Sequence, residues 1–295
     1  MRHKRFLLLL LLFTLVPFMI SCDLSLSFFD TTTDAASTTY IPDEVNGTIT
    51  FNNSDYYSFP YYESSTYELT DVDAYNDILL ETQDFVRHAN IEIESTFYEE
   101  YTVLPWSNET QRKDIAYSTG SGFIFMEDED YYYAITNYHV IDPDEYLAEY
   151  SIKAFGDEDY SSCTIVVYDE DIDLAVVKFS KAERTDLTIL DIYSRLYYKF
   201  TPGELVLACG NPQETYDVVT FGEFVSLESI TNVDYDVIYH TALIDEGSSG
   251  GALVDVDGNF LGVNTWGVDS DESDSFSIPN YIVYMFLINN GILVD

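Results

Sequence analysis

Apolar positions change their spacing along this chain, and each change predicts a different kind of element. Residues Phe6 to Ile20 form one apolar stretch with a run of leucines from Leu7 to Leu12. From residue 23 to about 73 apolar positions thin out and lose sustained period. From Val72 to about Asn90 they return at helical spacing, with Ile78, Leu79, Phe85 and Val86 on one face. Beyond that point they come in short runs that suit strands: Phe123–Phe125, Tyr131–Thr136, Thr164–Val167, Leu174–Phe179, Leu205–Ala208, Asp217–Phe221, Val237–Thr241, Gly251–Val254 and Phe260–Val263. Residues Lys181 to Phe200 are polar and irregular and read as a bridge between two halves. Pro279 to Asn289 is apolar and predicts a short C-terminal helix. Short strands divided by turns predict an all-β barrel or sandwich, with one helix before it and one after. No internal repeat is visible.

The first apolar stretch follows Arg2, Lys4 and Arg5 and is shorter than the roughly 20 residues a spanning helix needs, so it reads as a signal segment. It ends in Met19-Ile20-Ser21-Cys22, which resembles the lipobox of bacterial lipoproteins. That resemblance implies removal of residues 1–21, a lipid on Cys22, and an extracytoplasmic protein held at the cell membrane. An ordinary secretory signal or an uncleaved anchor fits the same residues. Residues 22–73, rich in Ser, Thr, Asp and Tyr, are expected to form a disordered stalk. A flexible chain of that length reaches on the order of 40 Å. Its tyrosines Tyr56, Tyr57, Tyr61 and Tyr62 leave room for packing onto the following domain, expected over residues 74–295.

Charge narrows the partners. Twelve Lys and Arg stand against 53 Asp and Glu, for a net charge of −41. Such a surface repels phosphates and argues against nucleic acid. It suits solubility, and after that basic polypeptides. Past Cys22 only Cys163 and Cys209 remain; both sit in apolar, strand-like surroundings and read as buried thiols, with a disulfide left open. No metal-ligand spacing is present. Asp255-Val256-Asp257-Gly258-Asn259 begins like a calcium loop but lacks its later ligands, and reads as a hairpin turn.

One combination carries chemistry. His139 follows Thr136-Asn137-Tyr138, Asp173 opens Asp173-Leu174-Ala175-Val176, and Ser249 lies in Gly247-Ser248-Ser249-Gly250-Gly251. A serine hydroxyl is a weak nucleophile and needs an adjacent base. His139 supplies the base, Asp173 would orient its ring, and Ser249 would attack. The glycines permit a tight turn in which the N–H groups of Gly247 and Ser249 could bind an oxyanion. The order His, Asp, Ser differs from that of the other well-known serine hydrolase folds and points to a chymotrypsin-like double barrel. His240, on a strand leading to the serine, reads as structural or cleft-lining; His88 falls in the helix and His3 in the signal.

These segments resemble the trypsin-like serine peptidases, and among them the HtrA/Deg group. The resemblance runs through Gly120-Ser121-Gly122-Phe123-Ile124, Thr136-Asn137-Tyr138-His139, Asp173-Leu174-Ala175-Val176, Leu207-Ala208-Cys209-Gly210-Asn211-Pro212, Gly247-Ser248-Ser249-Gly250-Gly251 and Gly262-Val263-Asn264-Thr265. It implies two six-stranded antiparallel barrels, the first over about 90–180 and the second over about 200–278, with the site in the cleft between them. It implies polypeptide substrates, including misfolded ones, and no cofactor. Leu243 stands where trypsin-like enzymes carry the acid that binds Lys or Arg. With Ile244 it implies a preference for small or medium apolar side chains. Thr265-Trp266-Gly267 resembles the strand that pairs with substrate backbone. The peptide-binding domain common in the group is not expected after the barrels, and oligomeric state stays open. Two further readings fit the residues: a surface binding protein on a protease scaffold, and a hydrolase of esters.

Overall fold

The computed structural model describes residues 43–45, 48–50, 53–103, 106, 109–142, 146–181, 184, 186–231, 233–267 and 274–293. A small antiparallel pair, β1 (Asp43–Val45) and β2 (Thr48–Thr50), precedes the short helix α1 (Asn53–Tyr56). Helix α2 (Val72–Ala89) forms where apolar spacing predicts it. Asp71 caps its start by accepting from the Asp73 and Ala74 N–H groups, and Arg87 and His88 sit in the last turn, where cations complement the helix dipole. Its buried face carries Thr82, Val86 and Ala89. The chain then enters a strand with no loop between.

The first barrel consists of β3 (Asn90–Thr102), β4 (Thr110–Glu127), β5 (Tyr131–Thr136), β6 (Leu147–Ala154), β7 (Ser161–Asp169) and β8 (Leu174–Ser180), with the short helix α3 (Tyr138–Ile141) after β5. It closes in the order β3-β4-β5-β8-β7-β6. The second comprises β9 (Leu205–Gly210), β10 (Val218–Ser229), β11 (Asp236–His240), β12 (Ala252–Asp255), β13 (Phe260–Gly267) and β14 (Ser275–Pro279), followed by α4 (Asn280–Asn289). It closes in the order β10-β11-β14-β13-β12-β9. Two closed six-stranded antiparallel barrels are the chymotrypsin-like architecture.

Two hydrophobic cores hold the barrels, and some strands serve both. On β8, Ala175 and Val177 point into the first barrel, while Leu174 and Val176 pack in the core that extends through the second. On β5, Ala134 and Ile135 divide the same way, and on β4 Ile124 divides from Phe123 and Phe125. Successive strand side chains face opposite ways, so a strand covered on both faces must be apolar at every position. The unbroken run Leu174-Ala175-Val176-Val177 has this cause.

The bridge between the barrels is irregular, as its composition suggests, but it is anchored. Leu190, Ile192, Leu196 and Phe200 are buried in it. Arg195 is fully buried, donating to Asp255 Oδ2 at 2.6 Å and to both Glu204 carboxylate oxygens at 3.3 Å, beneath the Tyr62 ring at 4.3 Å. Burial raises the pKa of both carboxyls, opposed by Arg195. Asp255 also accepts from the Asp257 and Asn259 N–H groups, so the calcium-like segment is a hairpin turn between β12 and β13.

The expectation of disorder from 22 to 73 is corrected on its C-terminal side. Tyr56 and Phe59 are buried against Phe200, Tyr197 and Tyr281. Ser64 caps a 3-10 turn over Ser65–Glu68, and Thr66 Oγ1 donates to Asp257. Of the tyrosines expected to have room to pack there, Tyr56 is buried, while Tyr57 and Tyr61 are exposed. Residues 22–42 and the signal segment with Cys22 lie outside the described residues. Cys163 and Cys209 are free and buried, and burial pushes the Cys163 thiol up to about 12.

Candidate active site

Strand pairing brings the candidate residues together. β5 pairs β8 with Thr136 opposite Ala175, so the turns after one and before the other meet. His139 lies on the first of these turns and Asp173 on the second. Asp173 adopts a left-handed backbone with φ 56°, which aspartate tolerates better than most residues. Asn137 Nδ2 donates to the Asp173 carbonyl at 2.8 Å, and Tyr235 OH of the second barrel donates to the preceding Ile172 carbonyl at 3.1 Å. The turn is thus held from both barrels.

The Asp173 carboxylate is surrounded by donors. Oδ1 accepts from the His139 N–H at 3.0 Å, and Oδ1 and Oδ2 lie 3.0 and 2.9 Å from His139 Nδ1. Thr265 Oγ1 donates to Oδ2 at 2.9 Å. An ionised carboxylate only accepts, so Nδ1 is the nitrogen that carries a proton, and in the neutral tautomer Nε2 is the one left with a lone pair. The His139 side chain is 46% exposed and Asp173 only 16%, which gives the ring a wet outer edge and a shielded inner one.

Thr265 was expected to contact substrate, and its place in the sheet gives it another task. The β13–β14 register runs Asn264 opposite Ser277 and then Trp266 opposite Phe276, so Thr265 is the extra residue of a bulge. A bulge releases a residue from the ladder and re-aims it. Here the released hydroxyl binds Asp173, and the released carbonyl accepts from Ser249 Oγ at 3.2 Å. Among the described residues Ser249 Oγ makes no hydrogen bond to His139. Nucleophile–base contacts are often made only once substrate is bound.

The turn around Ser249 is defined plane by plane. The Glu246 carbonyl accepts from the Gln213 N–H at 3.0 Å, and the Ser248 carbonyl from the Gly251 N–H at 3.1 Å. Trans peptides point N–H and C=O in opposite directions. The N–H groups of Gly247 and Ser249 therefore face away from those donors, and among the described residues neither has a partner. Gly247 has φ +95°, and a Cβ there would come within 2.5 Å of the Asn211 carbonyl. Next to this turn Gln213 and Asp217 also hold positive φ of 49° and 55°. Asp217 is largely buried, which raises its pKa, and its Oδ1 accepts from Asn90 Nδ2 at 2.9 Å.

The expected specificity residues divide. Leu243, 57% exposed, and Ile244 both line a cavity of about 230 Å³, with Pro212, Gln213, Thr220, Asp245 and Ser248. Thr265, Trp266 and Gly267 do not line it. Ile244 is buried, and its carbonyl lies against Gly267, where a Cβ would approach it to 2.9 Å. His240 is wholly buried, bonded through Nε2 to Ser277 Oγ at 2.9 Å, and burial lowers its pKa to about 3. It is structural and does not line the cleft. Sequence reasoning missed the supporting Ser121, Asn211, Tyr235 and Asn137. The first, second and fourth lie inside motifs noted for the resemblance, while Tyr235 left no signal in the sequence.

The trypsin-like peptidase domain family matches residues 120–263. Serine protease HTRA1B of Danio rerio is 30% identical over 181 residues, covering 59% of this chain and 35% of that protein. Serine protease HTRA4 of Mus musculus is 31% identical over 181 residues, with the same coverage of 59% and 35%. The chain thus spans about a third of the length of these relatives. Among solved structures, the serine endoprotease of Yersinia pestis aligns with TM-score 0.53 at 24% identity, covering 72% of this chain and 66% of that one. An HtrA-type protease, AlgW with a decapeptide, aligns with TM-score 0.57 at 24% identity over 72% of this chain and 67% of that one. The double-barrel region therefore has the chymotrypsin-like fold and is similar, over residues 120–263, to the trypsin-like peptidase domain family and to serine proteases of the HtrA group.

Proposed function

We propose that this chain is a serine endopeptidase that cleaves polypeptides through an acyl-enzyme. The observation that carries the reading is the Asp173 carboxylate, held at once by the His139 ring and by Thr265, with Ser249 on that same threonine's carbonyl. When substrate enters, the Ser249 hydroxyl turns from Thr265 to His139 Nε2. Nε2 takes the proton as Oγ forms a bond to the scissile carbonyl carbon. The oxyanion accepts from the Gly247 and Ser249 N–H groups. The imidazolium, stabilised by Asp173, gives its proton to the leaving amine, and water repeats the sequence on the acyl-enzyme. No cofactor is needed.

In this reading Leu243 and Ile244 favour small or medium apolar side chains before the cut, and Thr265, Trp266 and Gly267 pair with substrate backbone. Basic polypeptides suit the chain's acidity and nucleic acid does not, while misfolded substrates rest on the resemblance alone. The lipid on Cys22 would hold the enzyme at the outer side of a bacterial cell membrane. A catalytically silent binding protein is the competing reading, favoured by Ser249 Oγ resting on Thr265. Casein hydrolysis by the parent and by Ser249→Ala separates them. Loss of the nucleophile removes about a million-fold in turnover. A parent as inert as the variant, and unlabelled by a serine-directed phosphonate, would sink the enzyme reading. Mass spectrometry of the membrane-extracted protein would reveal the lipid on Cys22 or its absence.

A further inference from the structure

We propose that Ser121, on β4 of the first barrel, is a positioning residue that fixes the oxyanion-binding turn of the second. The proposal rests on the endopeptidase reading. Ser121 is fully buried, and it touches the turn twice. Its N–H donates to the Ser249 carbonyl at 2.7 Å. Its Oγ lies 2.7 Å from the Gly247 carbonyl oxygen.

Counting protons fixes the direction of the second contact. Asn211 Oδ1 accepts from Asn90 Nδ2 and from the Asp217 N–H, both at 2.9 Å, so Asn211 Nδ2 is the end that faces Ile91 O and Ser121 Oγ. Ser121 Oγ accordingly accepts from Asn211 N–H at 2.8 Å and from Asn211 Nδ2 at 3.1 Å. A hydroxyl has one proton and two lone pairs. Both lone pairs are taken, so the proton goes to the Gly247 carbonyl.

The two contacts hold alternate peptide planes. The plane between Gly247 and Ser248 is tied at its carbonyl by Ser121 Oγ and at its N–H by the Asp245 carbonyl, at 2.8 Å. The plane between Ser249 and Gly250 is tied by the Ser121 N–H and by the Asn264 carbonyl, also at 2.8 Å. Between and before these planes lie the two unpartnered N–H groups. Rotating either held plane would swing one of them away. The serine is itself held, since its carbonyl accepts from Thr136 Oγ1 at 2.7 Å, three residues before His139. Close approach is allowed by Gly210, where a Cβ would lie 2.9 Å from Ser248 Cα and 3.1 Å from Ser121 Oγ.

The test compares full-length parent, Ser121→Ala, Ser121→Cys and Thr82→Val. Thr82 Oγ1 makes a buried hydrogen bond to the Val256 carbonyl at 2.8 Å on α2, so its variant controls for loss of a buried hydroxyl. Loss of one oxyanion donor costs about 10²–10³ in kcat. Ser121→Ala keeps the backbone N–H to Ser249 and loses only the hydroxyl that ties the plane between Gly247 and Ser248, and it should cost about 10- to 100-fold in kcat with KM within about twofold. Cysteine, similar in size with a weaker donor, should fall between, and keeps the test alive if the alanine variant does not fold. Phosphonate labelling should slow in parallel. Amide exchange at Ser248, read by NMR, should accelerate in Ser121→Ala alone, while Gly250, held by backbone bonds, stays protected. Equal kcat in Ser121→Ala and Thr82→Val, or unchanged exchange at Ser248, would overturn the proposal. A parent that neither turns over substrate nor labels would fail the endopeptidase reading, and exchange would still decide whether Ser121 holds the turn.

Discussion

His240 should make this protein lose stability on mild acidification, by an amount that can be worked out. The ring is buried and neutral, with its pKa lowered to about 3 by desolvation. In the unfolded chain histidine titrates near 6.5. Below that value the unfolded state takes up a proton that the folded state refuses, so stability falls as pH falls, down to the folded pKa. The slope approaches about 1.4 kcal/mol per pH unit, and between pH 6.5 and 5 the loss comes to roughly 1.6 kcal/mol. Asp217, Asp255 and Glu204 act oppositely, because burial raises their pKa values and stability from them declines as pH rises. Their contribution is common to a variant that leaves them untouched. His240→Gln keeps a donor for Ser277 Oγ and removes the titration. Urea unfolding of parent and variant at several pH values gives the difference directly. The parent should lose roughly 1.6 kcal/mol relative to His240→Gln over that range. A difference independent of pH would show that the ring is protonated in the fold or reached by water.

Arg195→Met should destabilise the protein by about 3–5 kcal/mol, since Asp255 and Glu204 would stay buried without their cation. Denaturant melts should show that loss shrinking as pH is lowered and the two carboxyls take up protons. Thr265→Val deletes the donor to Asp173 and should lower kcat/KM about tenfold, as a hydrogen bond to a charged group is worth about 1.5–3 kcal/mol; unchanged kcat/KM would remove Thr265 from the site. Tyr56→Ala should cost about 3–5 kcal/mol and expose the segment before Val72 to proteolysis, whereas a true stalk would show no change in melting.

The fold was readable where pattern and environment agree. β5 matched its predicted bounds, and α2 and α4 differed from theirs by a residue; α2 is marked by helical spacing of its apolar residues and α4 by being apolar nearly throughout. β3, β6 and β14 left weaker signals. β3 buries Glu92 between Ile91 and Ile93, where alternation calls for a solvent-facing position, and the Tyr160 hydroxyl donates to that carboxylate. β6 begins Leu-Ala-Glu, residues common in helices, and only pairing with β3 makes it a strand. His139, Asp173 and Ser249 stand out as candidates because each sits in a distinctive local sequence. Thr265 as a partner of Asp173 could not, because a bulge is a property of two strands. The Ser249 hydroxyl's position on a carbonyl likewise depends on χ1, which no sequence pattern records.

Strands covered on both faces have a consequence for how this protein comes apart. Leu174 and Val176 belong to a core that runs into the second barrel, while Ala175 and Val177 belong to the first. Neither barrel can open without wetting one side of a sheet the other relies on. Heating should therefore give one calorimetric transition across both barrels, and a gene fragment ending near Ser180 should yield inclusion bodies. Two barrels that look like a duplicated unit are, thermodynamically, a single foldon.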